Sequence, residues 1–391
     1  MRITRIAAES FPLTTSMSNS RRVLREIRIT VVAVECDVVR EGRRLVGYGY
    51  SSFGRPSCHT QIRERIAPRV LAAAPADLLD ETGANFDPLR VWAHAAADEK
   101  PAGHAERSVA IGTVDLAVWD LVAKIEGKPL HRLLAERHGD GAVRESVFCY
   151  VGGGWYRPGQ TAADLQAEMQ GHLDAGYTQV KMKVGGLSIA EDCARVEAVL
   201  AVVGGGRQLA VDANAVFEPS AALERARSLA PYALRWFEEP CNPLDYEGYK
   251  AVAASYAPPI ATGECLSGAQ ELDNFLRYSA MRPDRDIIQL DPPLSYGVTE
   301  YLRILQVAER HGFGRDALWP HGGNLMSLHV AGGLGLGGSE SYPGVFGAFG
   351  GFNREVMIEG GYARLPQSPG LGFEEKPELF PLMRSLLDPG G

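Results

Sequence analysis

The chain has 391 residues, 45% of them apolar and 23% charged, with 40 basic against 48 acidic side chains and a net charge of −8. That balance excludes a disordered or low-complexity protein, and with no basic run to offset the negative charge it argues against nucleic acid as a partner. The length suits one barrel-sized domain with a smaller one beside it.

The opening segment MRITRIAAESFPL lacks an apolar core of signal-peptide length, and no apolar run approaches membrane-spanning length. Cysteines at 36, 58, 149, 193, 241 and 265 follow no CxxC spacing and read as reduced thiols. A cytoplasmic protein without a membrane partner is expected. From Ile27 to Gly54 two valine-rich strands are predicted around a turn at REGRR. The segment SVAIGTVDLAVWDLVAKIEGK, from Ser108, predicts a helix stopped at Gly127, with Pro129 just beyond. A hairpin followed by helices points to an α+β domain over residues 1–140.

After about Ser146 strands alternate with helices. The candidate strands are SVFCYVG, QVKMKV, QLAVDAN, LRWFEEP, PIATGE, DIIQLDP, ALWPHG and GLGLGGSE. Helix starts are signalled by Thr161 with Asp164 and by Ser188 with Glu191, both at capping-box spacing, and by Pro219 at a first helical position. Eight strands with intervening helices predict an α/β fold with a parallel barrel over residues 141–350. The last stretch, 351–391, contains EVMIEGGYARL from Glu355 to Leu365, a hairpin turning at Gly360 and Gly361 and expected to pack back on the N-terminal domain.

In such a barrel the active site lies at the C-terminal strand ends. The polar residues there are Lys181, Lys183, Asp212, Glu238, Glu264, Asp291, His321 and Glu340. From Lys183 to His321 the successive gaps are 29, 26, 26, 27 and 30 residues, each about one strand, helix and two loops. Asp212, Glu238 and Glu264 therefore converge from three consecutive strands. Three carboxylates in one cleft repel unless a cation sits among them, and an all-oxygen site suits Mg²⁺. Singly, each could equally be a helix cap or an ion-pair partner. Lys181 and Lys183 share one strand face. They read either as the wet face of an edge strand or as a catalytic pair in which one ammonium disfavours the charged form of the other.

Taken in order, KMK at 181–183, VDAN with Asp212, WFEEP with Glu238, TGE with Glu264, then Asp291, His321 and the ending SPGLGFE resemble the mandelate racemase branch of the enolase superfamily. The segments DVVREG, EKPAGHAERS, HRLLAERHG, MRPDRD, LSYG, PHGG and GLGLGGSESYP are similar to those of D-tartrate dehydratases and related acid sugar dehydratases. The resemblance implies a (β/α)₇β barrel, with an α+β capping domain completed by the C-terminal segment. It also implies Mg²⁺ on Asp212, Glu238 and Glu264. Lys183 would be the base and Lys181 an electrostatic helper to the substrate carboxylate. His321 would be the acid, oriented by Asp291. The implied reaction removes the proton α to a carboxylate of a small hydroxy or sugar acid, then eliminates the β-hydroxyl to leave a 2-keto acid.

Epimerisation of the same acid, and a non-catalytic sugar-acid-binding barrel, are the competing readings. The loops TTSMSNSRRV and SSFGRPS stand where the cap of this family covers substrate, so Asn19, Phe53, Lys100 and Glu340 are candidate substrate contacts. No lysine stands at Asp291, unlike the muconate lactonizing branch. GGLGLGG at 332–338 lacks the strand-to-helix setting of a dinucleotide loop. A homo-oligomer is expected.

Overall fold

The computed structural model describes residues 1–51 and 55–387. Its N-terminal part is a three-stranded antiparallel sheet of β1 (Ile3–Ser18), β2 (Val23–Arg40) and β3 (Arg43–Tyr50). Strand β1 is additional to the two strands expected, and it turns the expected TTSMSNSRRV loop into a strand end and a tight turn. Its apolar residues Ile3, Ile6 and Ala8 are buried against the cap. The β2–β3 turn places Glu41 and Gly42 at φ of 51° and 75°.

The helix Glu106–Glu126 lies across this sheet and is buried along nearly its whole length. Gly47 and Gly49 of β3 make that approach possible. A Cβ on Gly47 would lie 2.0 Å from the Ala117 carbonyl oxygen, and one on Gly49 2.7 Å from that of Thr113. The helix stops at Gly127 in the left-handed region, as its sequence predicts.

The barrel strands follow in order. They are β4 (Ser146–Gly152), β5 (Val180–Lys183), β6 (Leu209–Asp212), β7 (Phe237–Glu238), β8 (Ile260–Thr262) and β9 (Ile287–Ile288), each parallel to the next. Leu318 bridges Ile288 in parallel at the seventh position. Then β10 (Ser339–Ser341) pairs with β4 and closes the ring. Only the end of the eighth predicted strand is extended, because Leu334 still belongs to the helix Leu325–Leu334, which ends at Gly335 with φ of 68°. Both capping boxes form, and Pro219 opens the helix Pro219–Leu229.

The C-terminal hairpin, β11 (Ile358–Glu359) and β12 (Tyr362–Arg364), departs from expectation. Its strand β12 pairs antiparallel with Ser146–Phe148 of β4, so it docks on the barrel. Those three residues precede the part of β4 that pairs with β5 and β10, and their backbone groups require another partner. The chain beyond the hairpin does reach the cap. Leu371 N–H donates to Asp120 at 2.6 Å, the rings of Phe380 and Tyr48 meet edge-on at 5.8 Å, and Arg5 donates to the carbonyls of Leu386 and Leu387.

Candidate active site

Lys183, Asp212 and Glu238 end β5, β6 and β7, and Glu264, Asp291 and His321 follow within three residues of the next three barrel positions; the strand period explains what lies beneath. Two residues before Glu238 stands Trp236, and two before Asp212 stands Ala210, both facing the barrel axis. With Tyr150, Ala261 and Trp319 they fill the interior directly under the polar layer.

Asp212, Glu238 and Glu264 bring one carboxylate oxygen each to within 4.8 Å of one another. Lys181 ion-pairs with Glu238 at 2.5 Å and Glu340 at 2.6 Å, and its ammonium lies 5.4 Å from the centre of the Tyr150 ring. Lys183 pairs with Asp212 and sits 4.6 Å from the centre of the Trp155 indole ring. Both lysines are almost wholly buried, so the reading of β5 as an edge strand with one wet face does not hold. Carboxylates on neighbouring strands compensate the two ammonium groups.

His321 occupies the other flank. Its Nδ1 faces Asp291 at 3.1 Å, and its Nε2 lies 3.0 Å from Glu264 and 3.6 Å from Glu340. Burial alone would lower the imidazole's pKa, but Glu264, Glu340 and Asp291 raise it well above its ordinary value. The three carboxylates around the ring favour its protonated form, which can donate a proton. Glu340 also accepts from the Gly322 N–H at 3.0 Å; against its burial, Lys181 and His321 lower its carboxyl to about 2.

The charge balance tests the metal assignment. With every group ionised, the five carboxylates of Asp212, Glu238, Glu264, Asp291 and Glu340 would face Lys181, Lys183 and an imidazolium with an excess of two negative charges. Burial pushes the Glu238 carboxyl up to about 7, with Lys181 offsetting only part of the shift. A divalent cation on the triad would remove that excess, and all-carboxylate donors fit Mg²⁺.

Three further candidates remain. Asn19 occupies the β1–β2 turn, where its side-chain oxygen accepts from the N–H groups of Arg21 and Arg22 at 2.9 and 2.7 Å. Lys100 is exposed in the loop after the helix Pro88–Ala95. Phe53 lies outside the described residues.

Several residues at the site escaped sequence reading. Trp236 and Gln289 both donate to the outer oxygen of Glu238, at 2.8 and 3.0 Å, and fix its orientation. Asn214 donates through backbone and side chain to Asp212. Gln289, two residues before Asp291, was findable from strand alternation; Trp155, in the loop after β4, carried no such signal.

A profile described as enolase C-terminal domain-like matches residues 164–379. The chain belongs to the enolase and mandelate racemase superfamily. L-talarate/galactarate dehydratase of Salmonella typhimurium is 31% identical over 329 residues, covering 82% of this chain and 75% of the relative. Arabinonate dehydratase of Saccharolobus solfataricus is 30% identical over 280 residues, covering 69% of this chain and 70% of the relative. The crystal structure of L-talarate dehydratase from Polaromonas sp. JS666, complexed with Mg and L-glucarate, superposes with a TM-score of 0.76. It is 30% identical, with 95% of this chain and 94% of that one covered. These superfamily relatives are acid sugar dehydratases, and the shared architecture is the capped barrel described above.

Proposed function

We propose that this chain is a Mg²⁺-dependent dehydratase of a small acid sugar, with Lys183 and His321 as its two proton carriers. The observation that carries the reading is their placement: Lys183 meets the carboxylate triad at Asp212, and His321 meets it at Glu264. Bound to Asp212, Glu238 and Glu264, Mg²⁺ would stabilise the negative charge that builds on the substrate carboxylate when its α proton leaves.

Lys183 Nζ, acting as the free amine, takes the α proton and becomes the ammonium. Lys181, whose folded-state pKa Glu238 and Glu340 raise well above the ordinary value against its burial, supplies a fixed positive charge beside the same carboxylate. His321 Nε2 gives its proton to the β-hydroxyl, which departs as water. The C–H pair of electrons becomes the Cα–Cβ double bond, and the enol then tautomerises to a 2-keto acid. Asp291 accepts at Nδ1 and sets the ring's orientation.

The substrate class is a hydroxy acid of four to six carbons. D-tartrate is one member of that class and the aldonic and aldaric acids are others; resemblance in the connecting segments supports the first, and the relatives' names support the second. Asn19, Phe53, Lys100 and Glu340 stay as candidate substrate contacts within this proposal. A cytoplasmic setting is supported by six thiols that form no disulfide, and a homo-oligomer is testable by light scattering.

The deciding experiment is a turnover screen of stereoisomeric acid sugars, D-tartrate included, with Mg²⁺ present. A 2-keto acid from one or a few of them is the expected result. An epimer without keto acid would replace dehydration by epimerisation, and specific binding without any α-proton exchange would make the chain a binding protein.

A further inference from the structure

Beside the ligand Glu238 stands a second acid, Glu239, which the reaction above does not use. It is fully buried, and its backbone sits at φ of 43°, in the left-handed region that a glutamate rarely enters. That conformation turns its side chain away from the direction that strand alternation would give and sends it along the barrel rim toward β8. There one oxygen accepts from the Thr262 hydroxyl at 2.7 Å and from the Gly263 N–H at 2.9 Å.

Its backbone is tied on both sides as well. The Glu239 N–H donates to the Ala261 carbonyl at 3.0 Å, and the Glu239 carbonyl accepts from the Ala215 N–H at 2.8 Å. One residue therefore joins the strand ends that carry all three members of the carboxylate triad. Asp212 is three residues before Ala215, Glu238 is its chain neighbour, and Glu264 directly follows Gly263. Gly263 itself has a φ of 123°, which a side chain at that position would resist. A tight bend directly before a ligand needs something to fix it, and the Glu239 carboxylate is the group that holds its N–H.

Resting on the metal reading above, we propose that Glu239 is a positioning residue for the cation: it clips the end of β8 to the end of β7 and so sets the separation of Glu238 and Glu264. The feature that acts is an accepting oxygen at a fixed place. Thr262 is the other half of the clip, and its hydroxyl also meets the Tyr249 hydroxyl at 2.9 Å, which anchors the contact to the helix Tyr246–Ser255. Loss of such supporting contacts typically weakens a metal site about 10- to 100-fold without touching a ligand.

The test is Mg²⁺ affinity, measured by titration calorimetry on the purified 391-residue chain without substrate, with thermal melting recorded alongside. E239L, which keeps bulk but removes the acceptor, should bind Mg²⁺ about 10- to 100-fold more weakly. E239Q retains an accepting oxygen and should stay within about threefold of the parent, a rescue that general destabilisation would not produce. T262V removes one donor without altering the acid and should fall between the two, so the clip stays testable if E239L does not fold.

Parental affinity in E239L or in T262V would overturn the proposal. So would a loss in E239Q as large as that in E239L, because charge and not the clip would then be the active feature. D212N separates this outcome from failure of the metal reading: if Mg²⁺ binding survives in D212N, the triad is not the metal site at all.

Discussion

Lys183 and His321 differ in what surrounds them, and the difference predicts separable defects. His321→Asn should lower keto-acid formation by about 10²- to 10⁴-fold while leaving α-proton exchange into D₂O, because exchange needs only the base and the cations. Lys183→Ala should remove both, as read by NMR of recovered substrate. Exchange that survives in Lys183→Ala and vanishes in His321→Asn would reverse the roles. Most of this site was legible in the sequence because, from Lys183 to His321, polar residues recur at nearly constant spacing, the period that the strand–helix repeat of a barrel produces. The orientation of Glu238 was not legible. It depends on Trp236 and Gln289, and whether an inward tryptophan donates to a carboxylate or merely fills space is decided only by packing. Removing the donor in Gln289→Leu leaves one of the two bonds to that oxygen, so Mg²⁺ affinity should fall by less than in a ligand variant such as Glu238→Gln, which calorimetry would show.

At the level of elements, the helix Glu106–Glu126 and strand β3 meet where side chains are missing. Gly47→Ala should cost about 1 to 3 kcal/mol, since its Cβ would overlap a helix carbonyl and the backbone must move apart. A chemical denaturation midpoint equal to the parent's would disprove that close contact. Strand β1 is not legible in the sequence because its apolar alternation is broken by Glu9, Ser10 and Pro12. Its register is set by thirteen pairings with β2, which sequence periodicity does not reveal. The short barrel strands were found despite being only two to four residues long in β5 to β9, because buried apolar runs mark them regardless of how many ladder bonds they make.

Across the whole molecule, the helix Leu130–His138 packs on the helix Leu325–Leu334 through two buried histidines whose ring centres lie 5.4 Å apart. Burial, with Arg132 nearby, lowers His131 to about 4, and burial with His131 nearby lowers His329 well below its ordinary value. Unfolded, both would titrate near 6.5, so between about pH 6.5 and 4 the unfolded chain binds protons that the folded chain refuses. Stability should therefore rise with pH through that window, and acid should weaken this junction first. His131→Phe should flatten the dependence of melting temperature on pH between 4 and 6.5; an unchanged slope would remove His131 from the account.

The cap draws on both ends of the described chain: β1 to β3 come first, whereas the strap that holds Asp120, Tyr48 and Arg5 comes from residues 371–387. The bond from Arg5 to Leu386 spans 381 positions. During synthesis, the cap sheet thus emerges well before the segment that completes it. The barrel strands emerge and can pair while the cap sheet still lacks its strap, with the apolar faces of Tyr48 and Tyr50 waiting for Phe373 and Phe380. A nascent chain stalled before residue 371 should present that surface to holding chaperones, and one released after residue 387 should not.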